Sequence, residues 1–248
     1  MKILGIIPAR FASTRFPGKP LIDLAGKSMI RRVYEQAKKA SSLAEVVVAT
    51  DSPEIFNAVK LFNGNVIMTS DQHQSGTDRC AEVCVKMTGY DAIINIQGDE
   101  PLIDPKQINL LASCFNDIST DLATLIKKIS TPEELFNFNT PKVIINNRSE
   151  AIYFSRQVIP YLKDVAQENY LSKHTFYKHI GIYGYRTTTL GIIAGMKLGN
   201  LESSEKLEQL RWIENGCKIK VAITETESLA IDSPEDVTKV LELLSNQC

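Results

Sequence analysis

Three observations predict an α/β fold with a mainly parallel central sheet. Short apolar runs recur along the 248-residue chain, segments of helical periodicity separate them, and Pro-bearing capping pairs mark where helices begin. The runs fall at residues 3–7, 46–49, 66–68, 92–96 and 122–126. Between them Ile30, Val33, Ala37 and Ala40 share one helical face, as do Ile55, Val59 and Phe62, and then Cys80, Val83, Cys84 and Met87. Ser52-Pro53, Asp104-Pro105, Thr131-Pro132 and Ser233-Pro234 each put an N-cap residue before a Pro at the first helical position. Thr131 with Glu134 also has capping-box spacing.

From about 127 to 186 the rhythm changes. Apolar stretches at 142–146 and 151–155 are followed by a polar segment, 163–173, and the chain returns through 179–185. This reads as an insertion in the sheet, a β-arm, within one domain spanning 1–248. The last helices are expected at 203–214, on Leu207, Leu210 and Ile213, and at 234–244, on Val237, Val240, Leu241 and Leu244. No internal repeat or low-complexity tract interrupts this pattern.

Composition narrows the function classes. Hydrophobic residues at 44% and charged residues at 23% are globular values, which excludes disordered and fibrous chains. A net charge of −1 gives no basic footprint, so no nucleic-acid partner is expected. No apolar run approaches the ~18 residues that span a bilayer, so no membrane insertion is expected. The first residues read as a strand and not as a signal peptide. The five cysteines, at 80, 84, 114, 217 and 248, are odd in number and scattered. Buried thiols explain Cys80 and Cys84 better than a metal pair does, and a reduced cytoplasmic chain fits best.

Several segments carry groups suited to chemistry. After the first run comes PARFASTRFPGKPL, with Arg10, Arg15 and Lys19 between prolines and a glycine. Arg grips oxygens in a fork and Lys acts as a point charge, so the three can converge on one polyphosphate. A solvated basic loop is the competing reading. Gly26-Lys27-Ser28 resembles the end of a P-loop, but Leu21 stands where its first Gly must be. At 92–102 an apolar run meets Gln97, Gly98, Asp99, Glu100 and Pro101. A carboxylate at a strand's carboxyl end suits Mg²⁺ shared with substrate phosphates; an ordinary polar turn is the alternative.

Gln74, Ser75, Gly76 and Thr77 stand before a helix, where hydroxyls and backbone N–H groups can meet a base or phosphate. Capping by Thr77 explains them equally well. Asp232 precedes another capped helix and is weak alone. The polar members of YFSR, HIGIYGY and EKLEQL can line a pocket for an anionic sugar. A structural role for His179 stays open beside that reading, and His73 and His174 attract no functional one.

Together IIPARFASTRFPGKPL, ATDSPEI, HQSGTDR, INIQGDEPLI, YFSR, HIGIYGYR, SEKLEQLR and IDSPEDV, in this order, resemble the 3-deoxy-manno-octulosonate cytidylyltransferase (CMP-Kdo synthetase) family. The likeness runs from Ile6 to about Val240, and 163–175 matches least. It implies a Rossmann-like nucleotidyltransferase fold with an inserted dimerisation region, a homodimer, and Mg²⁺-dependent transfer of CMP from CTP to Kdo for lipopolysaccharide assembly. It also implies residue roles. Arg10, Arg15 and Lys19 match the triphosphate loop, with Lys19 also expected to be catalytic. Gln74, Ser75 and Gln97 match positions around cytosine and ribose. Asp99 and Asp232 match the catalytic metal carboxylates, and Arg156, His179, Tyr183, Glu208 and Gln209 match the sugar-acid pocket. The 8-amino analogue of Kdo and sialate stay open as alternative acceptors. A CTP-sensing module without turnover and an NAD-dependent oxidoreductase are the competitors from other classes. Retention of both Asp99 and Asp232 argues against the first, and the missing G-x-G-x-x-G fingerprint against the second.

Overall fold

A computed structural model describes residues 1–11, 16–227 and 229–245. The apolar runs at 3–7, 46–49 and 92–96 become strands buried on both faces, as parallel sheets require, and that at 66–68 becomes a partly exposed edge strand. β1 (Ile3–Ala9), β2 (Glu45–Thr50), β3 (Val66–Met68) and β4 (Ala92–Asn95) lie parallel in the order β3–β2–β1–β4. The sheet continues through β5 (Leu122–Lys128), β6 (Lys142–Ile145), β7 (Ala151–Ser155), β8 (Tyr177–Arg186) and β9 (Lys220–Ile223). Its main order is β3–β2–β1–β4–β8–β5–β9, with β8 antiparallel to both neighbours and β9 parallel to β5. β6 pairs antiparallel with β7 and with the start of β8, which forms the arm.

The 179–185 stretch, read from sequence as the insertion's return path, therefore lies in the middle of the sheet. The alternation of small and aromatic residues fits this position. Gly184 lets the Phe115 ring approach to 2.6 Å from where a Cβ would stand, while Tyr183 and Tyr185 pack on the Trp212 ring across the other face.

Two helical layers cover the sheet. α1 (Met29–Ala37), α2 (Pro53–Leu61) and α4 (Pro105–Ser113) bury Ile30, Val33, Ile55, Val59, Ile108 and Leu111 on one face. α3 (Gly76–Lys86), α7 (Thr187–Ala194) and α9 (Gln209–Glu214) bury Val83, Leu190, Leu210 and Trp212 on the other. Each such side chain contributes about 1.5–3 kcal/mol of transfer free energy. The short α5 (Pro132–Phe136) and α6 (Tyr170–Lys173) enclose a separate cluster of Ile129, Leu135, Tyr170 and Phe176. α10 (Pro234–Ser245) adds another, in which Ile231 and Val240 meet Leu24 and Met29.

Three of the four capping pairs act as read, whereas the Ser233 hydroxyl donates to Asp236 at 3.1 Å. Ser52 accepts from Ile55 N at 3.2 Å, Asp104 from Lys106 N at 2.9 Å and Thr131 from Glu134 N at 3.2 Å. Two further expectations fail. α3 is capped by Ser75, in a capping box with Asp78, and Thr77 is left for another partner. The helix expected at 203–214 is two, α8 (Asn200–Glu205) and α9, because Lys206 turns the chain at φ 54°.

Candidate active site

β1 and β4 are adjacent and parallel, so the loops after them meet at one carboxyl edge of the sheet. Gly98 is what allows this approach: a Cβ there would lie 2.7 Å from the Pro8 carbonyl oxygen. The loop after β1 brings Lys19 to the same point. Its Nζ donates to Asp99 Oδ2 at 2.8 Å and to the Ile231 carbonyl at 2.6 Å, and lies 3.9 Å from Asp232 Oδ1. Ile231 N donates to the Asp99 carbonyl at 2.9 Å, so a backbone bond also ties the two segments. The Asp236 carboxylate accepts from Asp232 N and Ser233 N, both at 3.1 Å, which fixes the turn bearing Asp232. Asp99 keeps 30% side-chain exposure, whereas the adjacent Glu100 is buried.

Of the other residues expected around the nucleotide, Arg10, Gln74, Ser75 and Gln97 are described, and they lie in the loops that follow β1, β3 and β4. Arg10 donates to the His73 and Gln74 carbonyls at 3.5 and 3.4 Å, which joins the β1 loop to the segment before α3. Ser75 Oγ is used within its helix, accepting from Asp78 N at 3.1 Å, and Gln74 Nε2 donates to the Gln72 carbonyl. Gln97 Nε2 donates to the Gly181 carbonyl at 2.8 Å, linking the β4 edge to β8. Arg15 lies outside the described residues.

The sugar-side candidates form two groups. Glu208 accepts from Thr77 Oγ1 at 2.9 Å, and burial raises its carboxyl pKa above the ordinary value. Near it the Tyr183 hydroxyl and Gln209 Nε2 are buried without a hydrogen-bond partner among the described residues, as is Asn95 Oδ1 on β4. His179 is half-buried, and its ring is enclosed by Phe154 and Tyr183 at centroid distances of 5.3 and 5.1 Å. Its Nε2 lies 2.9 Å from Thr124 Oγ1, whose own proton goes to the Ile182 carbonyl at 2.7 Å. The network therefore places a proton on Nε2. Desolvation pushes the pKa of His179 down to about 3. Arg156 forms the second group, with its Nε, Nη1 and Nη2 on the carbonyls of Glu205, Phe138 and Lys206 at 2.6, 3.1 and 3.5 Å.

Sequence reasoning passed over Thr124 and Asn95. Thr124 offers no signal in a strand, whereas the polar Asn95 inside the apolar run 92–96 was a visible one. The cavity of about 450 Å³ bordered by Asp117, Asp121, Thr189, Cys217 and Lys220 lies at the opposite edge, and no candidate residue borders it. Among the described residues Cys80, Cys84, Cys114 and Cys217 are free thiols, and burial raises the pKa of each. Cys248 lies outside the described residues.

A mixed sheet gathers a Lys, two Asp and an Arg-bridged loop at its carboxyl edge, and the comparisons give the class to which such a chain belongs, the nucleotidyltransferases. The cytidylyltransferase family model matches residues 4–219. The 3-deoxy-manno-octulosonate cytidylyltransferase of Parabacteroides distasonis is 56% identical, with all of both chains covered, and that of Bacteroides thetaiotaomicron is 51% identical with the same coverage. A solved structure of CMP:2-keto-3-deoxy-manno-octonic acid synthetase complexed with CTP superposes over all of both chains at a TM-score of 0.92 and 40% identity. A glucose-1-phosphate thymidylyltransferase from Bacillus anthracis, at 16% identity and a TM-score of 0.66, shares the fold alone. The chain belongs to the 3-deoxy-manno-octulosonate cytidylyltransferase family.

Proposed function

We propose that this protein transfers CMP from CTP to Kdo, releasing diphosphate and forming CMP-Kdo. The observation that carries the reading is the convergence of Lys19, Asp99 and Asp232 at the carboxyl edge. In the proposed reaction the anomeric hydroxyl of Kdo attacks the α-phosphorus, and diphosphate departs roughly in line. Such a transfer depends on positioning and charge neutralisation and needs no covalent nucleophile. Arg10, Arg15 and Lys19 bind the triphosphate, while Gln74, Ser75 and Gln97 surround the cytidine.

Arg156, His179, Tyr183, Glu208 and Gln209 bind the sugar acid. Support comes from the buried Tyr183 hydroxyl and Gln209 amide, which would gain partners from a polyhydroxylated ligand. The neutral His179 can direct a hydrogen bond without adding charge. The raised pKa of Glu208 follows from the same closure against water.

Mg²⁺ fits the donor set. Two carboxylates already address one cationic point, the Lys19 ammonium, and Mg²⁺ commonly takes one or two carboxylates and completes its shell with phosphate oxygens and water. Held by Asp99 and Asp232, it would neutralise phosphate charge and acidify the sugar hydroxyl. The alternative acceptors are not favoured, since the similar full-length relatives carry the Kdo name. We assign the enzyme to the cytoplasm, where CTP is made, and to a homodimer. Among the described residues no helix is long and apolar enough to cross a membrane. Diphosphate release measured with CTP, Mg²⁺ and a panel of Kdo, its 8-amino analogue and sialate tests the reading. Release with Kdo is expected, and silence with Kdo would overturn it.

A further inference from the structure

The contact between the end of β7 and the α8–α9 turn is denser than a surface reversal requires. The Glu205 carboxylate accepts from Arg156 N at 2.6 Å, from Ser155 Oγ at 2.9 and 3.2 Å, and from Tyr153 Oη at 3.4 Å. Its own carbonyl accepts from Arg156 Nε at 2.6 Å. Glu205 and Arg156 therefore grip each other twice, side chain to backbone in both directions, with charge-assisted bonds. Lys142, fully buried on β6 opposite Ser155, adds a cation whose field acts on the same carboxylate.

Glu205 ends α8, Lys206 reverses the chain in the left-handed region, and α9 begins beside Glu208. A non-glycine residue holds that conformation only where its surroundings enforce it. The helical pair has its own cross-ties. Arg211 meets Glu202 with two bonds, at 2.5 and 2.9 Å, and Glu214 accepts from Asn200 N and Leu201 N at 3.3 and 3.2 Å. None of these bonds involves Glu205. The hairpin therefore has a shape of its own, and Glu205 sets where its tip sits against the arm. On the other side the tip is held by the Thr77 hydroxyl on Glu208. The turn spans the gap between α3, which begins on the nucleotide side, and the arm.

We propose that Glu205 is a positioning residue for the sugar-acid half of the site, locking the α8–α9 tip to β7 so that Glu208 and Gln209 present their side chains at fixed distances. The inference rests on the reading of Glu208 and Gln209 as sugar-acid ligands. Glu205 acts through them, because its carboxylate is occupied by Tyr153, Ser155 and Arg156. Displacement of a binding group by about 1 Å is enough to weaken an oriented complex severely.

Steady-state KM values for Kdo and CTP, measured separately in the full-length Glu205→Ala, Glu205→Gln and Glu208→Ala variants, test this. Glu205→Ala is expected to raise the KM for Kdo at least about tenfold and leave that for CTP within about twofold. Glu205→Gln keeps one acceptor oxygen and should restore part of the loss. Equal changes in both KM values, or no change in either, would overturn the proposal. If Glu205→Ala does not fold, Glu205→Gln decides alone, and an unaltered KM for Kdo in it refutes the role. A raised KM for Kdo in Glu208→Ala beside an unchanged one in the Glu205 variants removes the positioning claim only. An unchanged KM for Kdo in Glu208→Ala removes the underlying assignment and the proposal with it.

Discussion

Asp99 and Asp232 are separated by most of the chain yet address the same Lys19 nitrogen. Loss of a ligand that supports transition-state charge costs about 3–4 kcal/mol, or roughly 10²–10³ in rate. Asp99→Asn and Asp232→Asn are therefore each expected to lower kcat at least about a hundredfold with the circular dichroism spectrum unchanged. Near-normal turnover at saturating Mg²⁺ would remove that residue from the metal site. His179 gives a second test through pH. Its folded pKa of about 3 lies below the ordinary value, so between ~6.5 and 3 the unfolded chain binds the extra proton. The contribution is complete above ~6.5 and is lost as pH falls through that window. Urea titrations should show a pH slope shallower by up to about 1.4 kcal/mol per unit in His179→Gln, and identical slopes would contradict a neutral imidazole. Lys19 and Asp99 stand out locally, as charged groups beside Pro and Gly after apolar runs, whereas Asp232 is weak alone and enters only with the resemblance. The Thr77–Glu208 bond was not, because it joins residues 131 positions apart and neither neighbourhood announces the other.

Local chemistry also decided which elements could be read. Ser52-Pro53 and Asp104-Pro105 carry their capping acceptors within three residues, so α2 and α4 begin where the sequence says. The break at Lys206 is different. Leu207, Leu210 and Ile213 keep helical spacing across it, and the bonds that hold the turn, within the hairpin from Arg211 to Glu202 and outside it from Ser155 and Arg156 to Glu205, join residues that local periodicity does not connect. β8 was misread for a related reason: its central position depends on pairing with β4 and β5, which periodicity within 177–186 does not encode. The loop after β4 supplies the prediction at this scale. Gly98→Ala would put a methyl group 2.7 Å from the backbone oxygen of Pro8, where no flexible side chain can yield. Such overpacking costs about 1–3 kcal/mol, so chemical denaturation should show a loss in that range together with reduced kcat as Asp99 is displaced. A wild-type midpoint and rate would show that the two loops are less tightly joined.

At the scale of the molecule, the arm leaves apolar surface that a single chain does not cover. Phe138, Ile152 and Tyr161 are 61, 53 and 76% exposed, close to a small cavity bordered by Val143, Ile145, Pro160 and Tyr177. A two-fold dimer in which this face meets itself would bury it. Light scattering is expected to give twice the chain mass at micromolar concentration, and a monomer would remove the dimer assignment. The backbone bond from Ile231 to Asp99 has a different consequence, one of timing. Synthesis delivers the main sheet once β9 ends at Ile223, but the turn bearing Asp232 and the helix that packs beneath it emerge afterwards. A nascent chain halted between these points would have a largely assembled core and half of its carboxylate pair. On the proposed reading, competence for the reaction comes with α10 and not with the sheet, because only then is Asp232 held beside Asp99.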